Sequence, residues 1–234
     1  MTKSRSPGES GSTAESDRLL SATLIIGLIA AAVALLVFSW LGRDIVTGVT
    51  PGVDESLRSS VHAYASPGLT KVMLAASLYG GPSWLVPFGL ALALAFLVHG
   101  WPRGALLVVV TLSGAGLLNV LLKQTFARSR PDPFFDYPLP VSHSFPSGHA
   151  FFAASLLGGL AVLVSDRVRS TPLRIGVWVA AVVLILLIGL SRVYLGVHYP
   201  SDVFAGYAVA VVWVATVALG DRVAMHQRRR RQAL

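Results

Sequence analysis

The residues best equipped for chemistry lie in three short clusters. The first runs from Lys123 through Arg128 to Arg130 and Pro131, the second is Pro146-Ser147-Gly148-His149, and the third holds Ser191, Arg192, His198, Pro200 and Asp202. Lys123, Arg130 and Arg192 supply three positive charges. An arginine fork matches two phosphate oxygens at once, whereas lysine acts as a point charge. Ser147 and Gly148 stand where a helix is predicted to begin, so free backbone N–H groups and the positive end of the helix dipole would face an anion. Gly148 lets the backbone approach a ligand without a Cβ in the way. Pro146 and Pro200 fall at predicted helix starts, where a missing N–H is tolerated. His198 and Asp202 are four residues apart, so one helical turn can bring the carboxylate to one imidazole nitrogen. That bond fixes the tautomer and makes the other nitrogen more basic, able to attack phosphorus. His149, beside the predicted helix start, can protonate a leaving oxygen. Residues of these types would suit a phosphate site, and with three cations facing the phosphoryl oxygens no metal is required.

Taken singly, these residues have plainer readings. Lys123, Arg130 and Arg192 could be cationic anchors at the ends of membrane spans. His62, His99, His143 and His226 read as interfacial polar residues, and Tyr194 and Tyr199 as interface aromatics. Asp132 and Asp136 read as loop and turn formers. Arg128 either lines the mouth of a pocket or faces water. The plain reading fails for the ensemble, because it leaves unexplained why phosphate-binding types gather on one predicted membrane face.

The elements that must position these clusters are membrane helices. The 234-residue chain is 54% hydrophobic and 13% charged, half the charge of a typical soluble domain at about 25%, and its mean hydropathy is +0.67. The apolar residues gather into runs near the roughly 20 residues needed to cross a bilayer. Six transmembrane helices are predicted, at about 19–41, 70–98, 104–123, 149–165, 173–192 and 201–220, with Tyr79-Gly80-Gly81-Pro82 interrupting the second. The fold class is therefore all-α, an integral membrane bundle of six transmembrane helices (19–221). It is flanked by a Ser- and Gly-rich tail, 1–18, expected to be disordered, and a basic tail, 222–234. The first apolar run is too long for a signal-peptide core and lacks a small-residue cleavage site. The amphipathic stretch from Val53 to Tyr64, inside the 42–68 loop, is expected on the outer membrane surface. The Pro-rich stretch 131–146 is expected to be a structured loop. The chain has no cysteine, which excludes disulfides and thiolate chemistry.

Grouped by alternate loops, Lys3, Arg5, Arg18, Arg103, Arg167, Arg169, Arg174, Arg222 and Arg228 to Arg231 share one side, 12 of the 19 Lys and Arg residues. The positive-inside rule places both termini in the cytoplasm and the three chemical clusters on the extracytoplasmic side. A net charge of +8 and a pI near 10.4 might suggest nucleic acid. The Arg228–Arg231 run, however, ends the last span and reads as an anchor on anionic lipid.

The pattern Lys-x6-Arg-Pro, then Pro-Ser-Gly-His, then Ser-Arg-x5-His-x3-Asp resembles the signature of the type 2 phosphatidic acid phosphatase superfamily. It is carried here by Lys123, Arg130 and Pro131, by Pro146 to His149, and by Ser191, Arg192, His198 and Asp202. The resemblance implies a helical bundle and cofactor-free, metal-independent dephosphorylation. It implies His198 as nucleophile, Asp202 orienting it, and His149 as acid, with Lys123, Arg130, Ser147, Gly148 and Arg192 holding the phosphate. The superfamily also contains soluble vanadate-dependent haloperoxidases, against which six apolar spans argue. The compact size and short loops resemble bacterial members acting on phosphatidic acid, phosphatidylglycerol phosphate or undecaprenyl diphosphate. The expected partners are a phosphorylated lipid and the bilayer. A membrane protein that binds or moves such a lipid without cleaving it is the alternative. His198, Asp202 and His149 argue against it, since binding needs no nucleophile.

Overall fold

The computed structural model describes residues 7–48 and 51–232, and every element in them is an α-helix. Proline decides where most of these helices start. They are α1 (Pro7–Thr47), α2 (Pro51–His62), α3 (Pro67–Tyr79), α4 (Pro82–Val98), α5 (Pro102–Phe126), α6 (Gly148–Ser165), α7 (Thr171–Tyr194) and α8 (Pro200–Gln232). A proline fixes φ near the helical value and lacks an N–H that would be unpaired in the first turn anyway. Only α6 has no proline at its start. It opens with Gly148 behind the N-cap residue Ser147.

Among the described residues, five helices are long and apolar enough to cross a membrane: α1 from Leu24, α5, α6, α7 and α8. The pair α3 and α4 is bent by 53° at Gly80-Gly81, and counted as one span it brings the total to six. This is the interruption expected within 70–98. At 25 residues, α5 is about 37 Å long at 1.5 Å per residue, enough for a hydrocarbon core of about 30 Å. The first and last helices run past the predicted spans 19–41 and 201–220. Helix α1 begins at Pro7, inside the tail expected to be disordered, and residues 1–6 lie outside the described ones. Helix α8 carries the basic tail as far as Gln232, with 233–234 outside the description.

Helix α6 is the hub, packed against α4, α5, α7 and α8, while α1 lies along α8. Phe151, Phe152 and Leu156 of α6 form the main core with Val108, Leu112 and Ala115 of α5 and Val209 and Ala210 of α8. Alanines at the crossings let helix backbones come close, as membrane bundles require. The flanks of the bundle are apolar: Ile26 and Leu36 of α1, and Ile175 and Val183 of α7, are all exposed. Lipid tails, rather than water, are the solvent that suits such a surface.

Candidate active site

The three clusters meet at one end of the bundle. Lys123 lies in the last turn of α5, Ser147 to His149 open α6, Arg192 lies in the last turn of α7, and Asp202 lies in the first turn of α8. His198 sits in the turn joining α7 to α8. Gly196 shapes that turn with φ +74°, and a Cβ there would come within 2.6 Å of the Phe134 backbone nitrogen. Only glycine combines that dihedral with so close an approach.

His198 is fully buried, with Nδ1 3.2 Å from Oδ2 of Asp202 and Nε2 3.0 Å from Nη1 of Arg130. These partners define the tautomer. A carboxylate only accepts and a guanidinium only donates, so the proton is on Nδ1 and Nε2 carries the lone pair. Burial pushes the imidazole down to about 3, opposed by Asp202 and aided by the neighbouring Arg130 and Arg192. Asp202, also fully buried, receives the Tyr199 N–H at 3.0 Å and the Ser144 hydroxyl.

The cations surround this pair. Arg130 donates from Nε to the Ser142 carbonyl at 2.8 Å, from Nη1 to the Val197 carbonyl at 2.8 Å, and from Nη2 to the His143 carbonyl at 3.2 Å. Burial and the nearby Arg192 charge lower its guanidinium to about 10. Lys123 donates to the same His143 carbonyl. Arg192 is buried and donates from Nη1 to the Ser77 hydroxyl, and its Nε has no partner among the described residues. The Ser147 hydroxyl is likewise buried with no partner. The Ser147 backbone N–H differs from expectation. It donates to the Asp202 carbonyl at 2.9 Å, so the hydroxyl is what Ser147 has to offer a ligand. Gly148 packs against Asn119, whose Oδ1 would lie 3.2 Å from a Cβ. His149 backs onto the break between α3 and α4, where a Cβ on Gly81 would stand 3.0 Å from Nε2.

Several residues outside the motifs complete the site. Arg128, left undecided by the sequence, sits beside Asp202. It donates to Asp202 at 2.6 Å, to Ser201 at 2.7 Å and to Asp54 at 2.7 Å. Asp54 and Arg58 are buried under α2. That helix, the amphipathic stretch expected on the outer membrane surface, packs on α7 and α8 and leaves Val53 and Leu57 exposed. Tyr194, expected at the membrane interface, is buried with its hydroxyl 2.6 Å from that of Thr70. The backbone carbonyl of Asp132, in the loop before α6, receives Nη1 of Arg58 at 2.6 Å.

The sequence profile of the PAP2 superfamily matches residues 104–225, the stretch that holds all eight predicted site residues. Phosphatidylglycerophosphatase B of Bacillus subtilis (strain 168) is 31% identical over 178 residues, which is 76% of this chain and 87% of that protein. The chain belongs to the PAP2 superfamily. Lipid A 1-phosphatase of Rhizobium etli is 37% identical over 117 residues, 46% of this chain and 45% of that one. The crystal structure of a transmembrane PAP2 type phosphatidylglycerolphosphate phosphatase from Bacillus subtilis superposes with a TM-score of 0.75 at 29% identity. The match covers 82% of this chain and 96% of that one. As a PAP2 protein built from apolar helices, this chain is a multi-pass membrane phosphatase of the lipid phosphatase type.

Proposed function

We propose that the protein hydrolyses a phosphate monoester or diphosphate on a membrane lipid through a phosphohistidine at His198, without a metal. The observation that carries this reading is the environment of His198: Nδ1 held by Asp202, and Nε2 bare of a proton beside Arg130, with Arg192 near. A phosphoryl group entering the pocket takes over the guanidinium and ammonium donors now spent on loop carbonyls. Nε2 attacks phosphorus, the bond to the lipid oxygen breaks, and that oxygen leaves with a proton from His149. Water then attacks the phosphohistidine, returns a proton to His149 and releases inorganic phosphate. Three fixed cations offset the charge on the equatorial oxygens, the role that metal ions fill in other phosphoryl-transfer sites.

The lipid character of the substrate is supported by a cleft of about 570 Å³ among α3, α4 and α7, lined by Ala76, Tyr79, Gly80, Trp84, Leu187 and Ile188. Gly80 and Gly81 separate this apolar cleft from His149, so a hydrocarbon chain there would trail from the leaving oxygen. The phosphatidylglycerophosphatase relative favours a glycerophospholipid monophosphate as the first substrate to try. The distribution of Lys and Arg supports cytoplasmic termini and an extracytoplasmic site.

The test is phosphate release by purified protein from phosphatidylglycerol phosphate, phosphatidic acid and undecaprenyl diphosphate, with and without EDTA. The wild type should turn over in EDTA and yield an acid-labile, base-stable phosphoenzyme on rapid quenching. His198→Ala should be folded and inactive. Activity that EDTA abolishes and Mg²⁺ restores, or that survives His198→Ala, would overturn the reading.

A further inference from the structure

The side of Asp202 facing away from His198 is enclosed by charges that no motif contains. Oδ1 of Asp202 accepts Nη1 of Arg128 at 2.6 Å, and Nη2 of the same guanidinium reaches Oδ2 of Asp54 at 2.7 Å. Asp54 receives the Ser201 backbone N–H at 3.0 Å and the Ser201 hydroxyl at 2.5 Å, one residue before Asp202 itself. Tyr199 covers the guanidinium, its ring centre 4.1 Å away. Both carboxylates are buried, and the Arg128 side chain is only 12% exposed. Buried charges of this kind persist only when paired and hydrogen-bonded.

We propose that Arg128 and Asp54 are positioning residues for the reaction. Arg128 fixes the rotamer of Asp202, and Asp54 offsets Arg128 so that Asp202 keeps its negative charge for the imidazole. The charge count supports this division. Two carboxylates around one guanidinium leave a net charge of −1 beside a neutral His198. When Nε2 bonds to phosphorus while Nδ1 keeps its proton, the ring becomes cationic and the cluster neutral. Arg128 without Asp54 would cancel Asp202 before that charge develops. Helix α2, remote in sequence from every motif, thereby supplies a residue on which the nucleophile depends. This inference rests on His198 being the nucleophile.

The experiment compares kcat, KM and melting temperature for wild type, Arg128→Gln, Asp54→Asn and the double variant, with p-nitrophenyl phosphate as substrate. Misplacement by about 1 Å can cost on the order of 100-fold, so Arg128→Gln should lose about 10- to 100-fold in kcat, with KM within about twofold of wild type. Asp54→Asn should lose less. The double variant should be no worse than Arg128→Gln alone, because Asp54 acts through Arg128 and coupled residues are not additive. A raised KM at unchanged kcat would make Arg128 a phosphate ligand and overturn the proposal. A lowered melting temperature with unchanged kcat would make the pair merely structural and also overturn it. If Arg128→Gln does not fold, Asp54→Asn decides alone, and wild-type kcat in it is fatal. An active His198→Ala would instead sink the nucleophile reading. An inactive His198→Ala beside fully active Arg128→Gln and Asp54→Asn sinks only the positioning role.

Discussion

His149 and His198 are chemically alike, and the structure gives them different neighbours. His198 has both ring nitrogens engaged, whereas Nε2 of His149 lies against Gly81 at the α3–α4 break. That position suits an acid for the leaving group. His149→Ala should cripple turnover of lipid phosphates, whose alkoxide needs a proton, by about 10²- to 10⁴-fold. It should affect p-nitrophenyl phosphate far less, because that leaving group departs unprotonated. An equal loss on both substrates would make His149 a binding or structural residue instead. For His198 the consequence is a pH dependence of stability. The unfolded chain takes up a proton at this imidazole below about 6.5, while the native protein refuses it until about 3. Its preference for the neutral ring therefore stabilises the fold above pH 6.5 and is lost as the pH falls toward 3. Melting temperatures of wild type should drop more steeply between pH 7 and 4.5 than those of His198→Gln. Parallel slopes would refute the assignment.

Among the elements, the broken helix α3–α4 carries more of the site than its apolar composition suggested. Ser77, just before the break, holds Arg192 and lies 3.3 Å from the Tyr137 hydroxyl. A Cβ at Gly80 would stand 2.5 Å from the Ile188 side chain, and one at Gly81 would press on His149. Gly81→Ala should therefore shift the acid rather than the nucleophile. It should lower kcat on lipid substrates by about tenfold or more and leave phosphohistidine formation from p-nitrophenyl phosphate nearly intact. An unchanged kcat on lipids would show that the contact is slack. The break itself was legible in the sequence, because Gly-Gly-Pro punctuates an apolar run. So was the His198–Asp202 contact, since a spacing of four is local geometry. The roles of Asp54, Ser77 and Tyr137 were not. Asp54 meets Ser201 across 147 positions, and Ser77 meets Arg192 across 115. No periodicity encodes such pairings. The amphipathic pattern of α2 was legible, but not the partners of its polar face, because Asp54 and Arg58 meet residues far along the chain.

On the scale of the whole molecule, the two ends of the bundle divide their labour. One end gathers the three motif clusters. The other end ties helices together with ion pairs, Arg103 to Asp221 between α5 and α8, and Arg222 to Asp166 at 3.9 Å. The cation-rich loops lie toward this second end, which yields a topology test in a chain that has no cysteine to interfere. Val141 is fully exposed near the site, so Val141→Cys in intact cells should react with an impermeant maleimide. Gln232→Cys should react only after lysis, and the reverse pattern would put the chemistry in the cytoplasm. The loop between α5 and α6 has a further consequence. Its Ser142 and His143 carbonyls hold Arg130 and Lys123, so on the function proposed above an entering phosphate would displace them and they would replace a departing one. The chain thus carries its own tethered competitor for the anion site. Substrate affinity is a difference between two sets of hydrogen bonds, and a pocket with three cations can still let its dianionic product go.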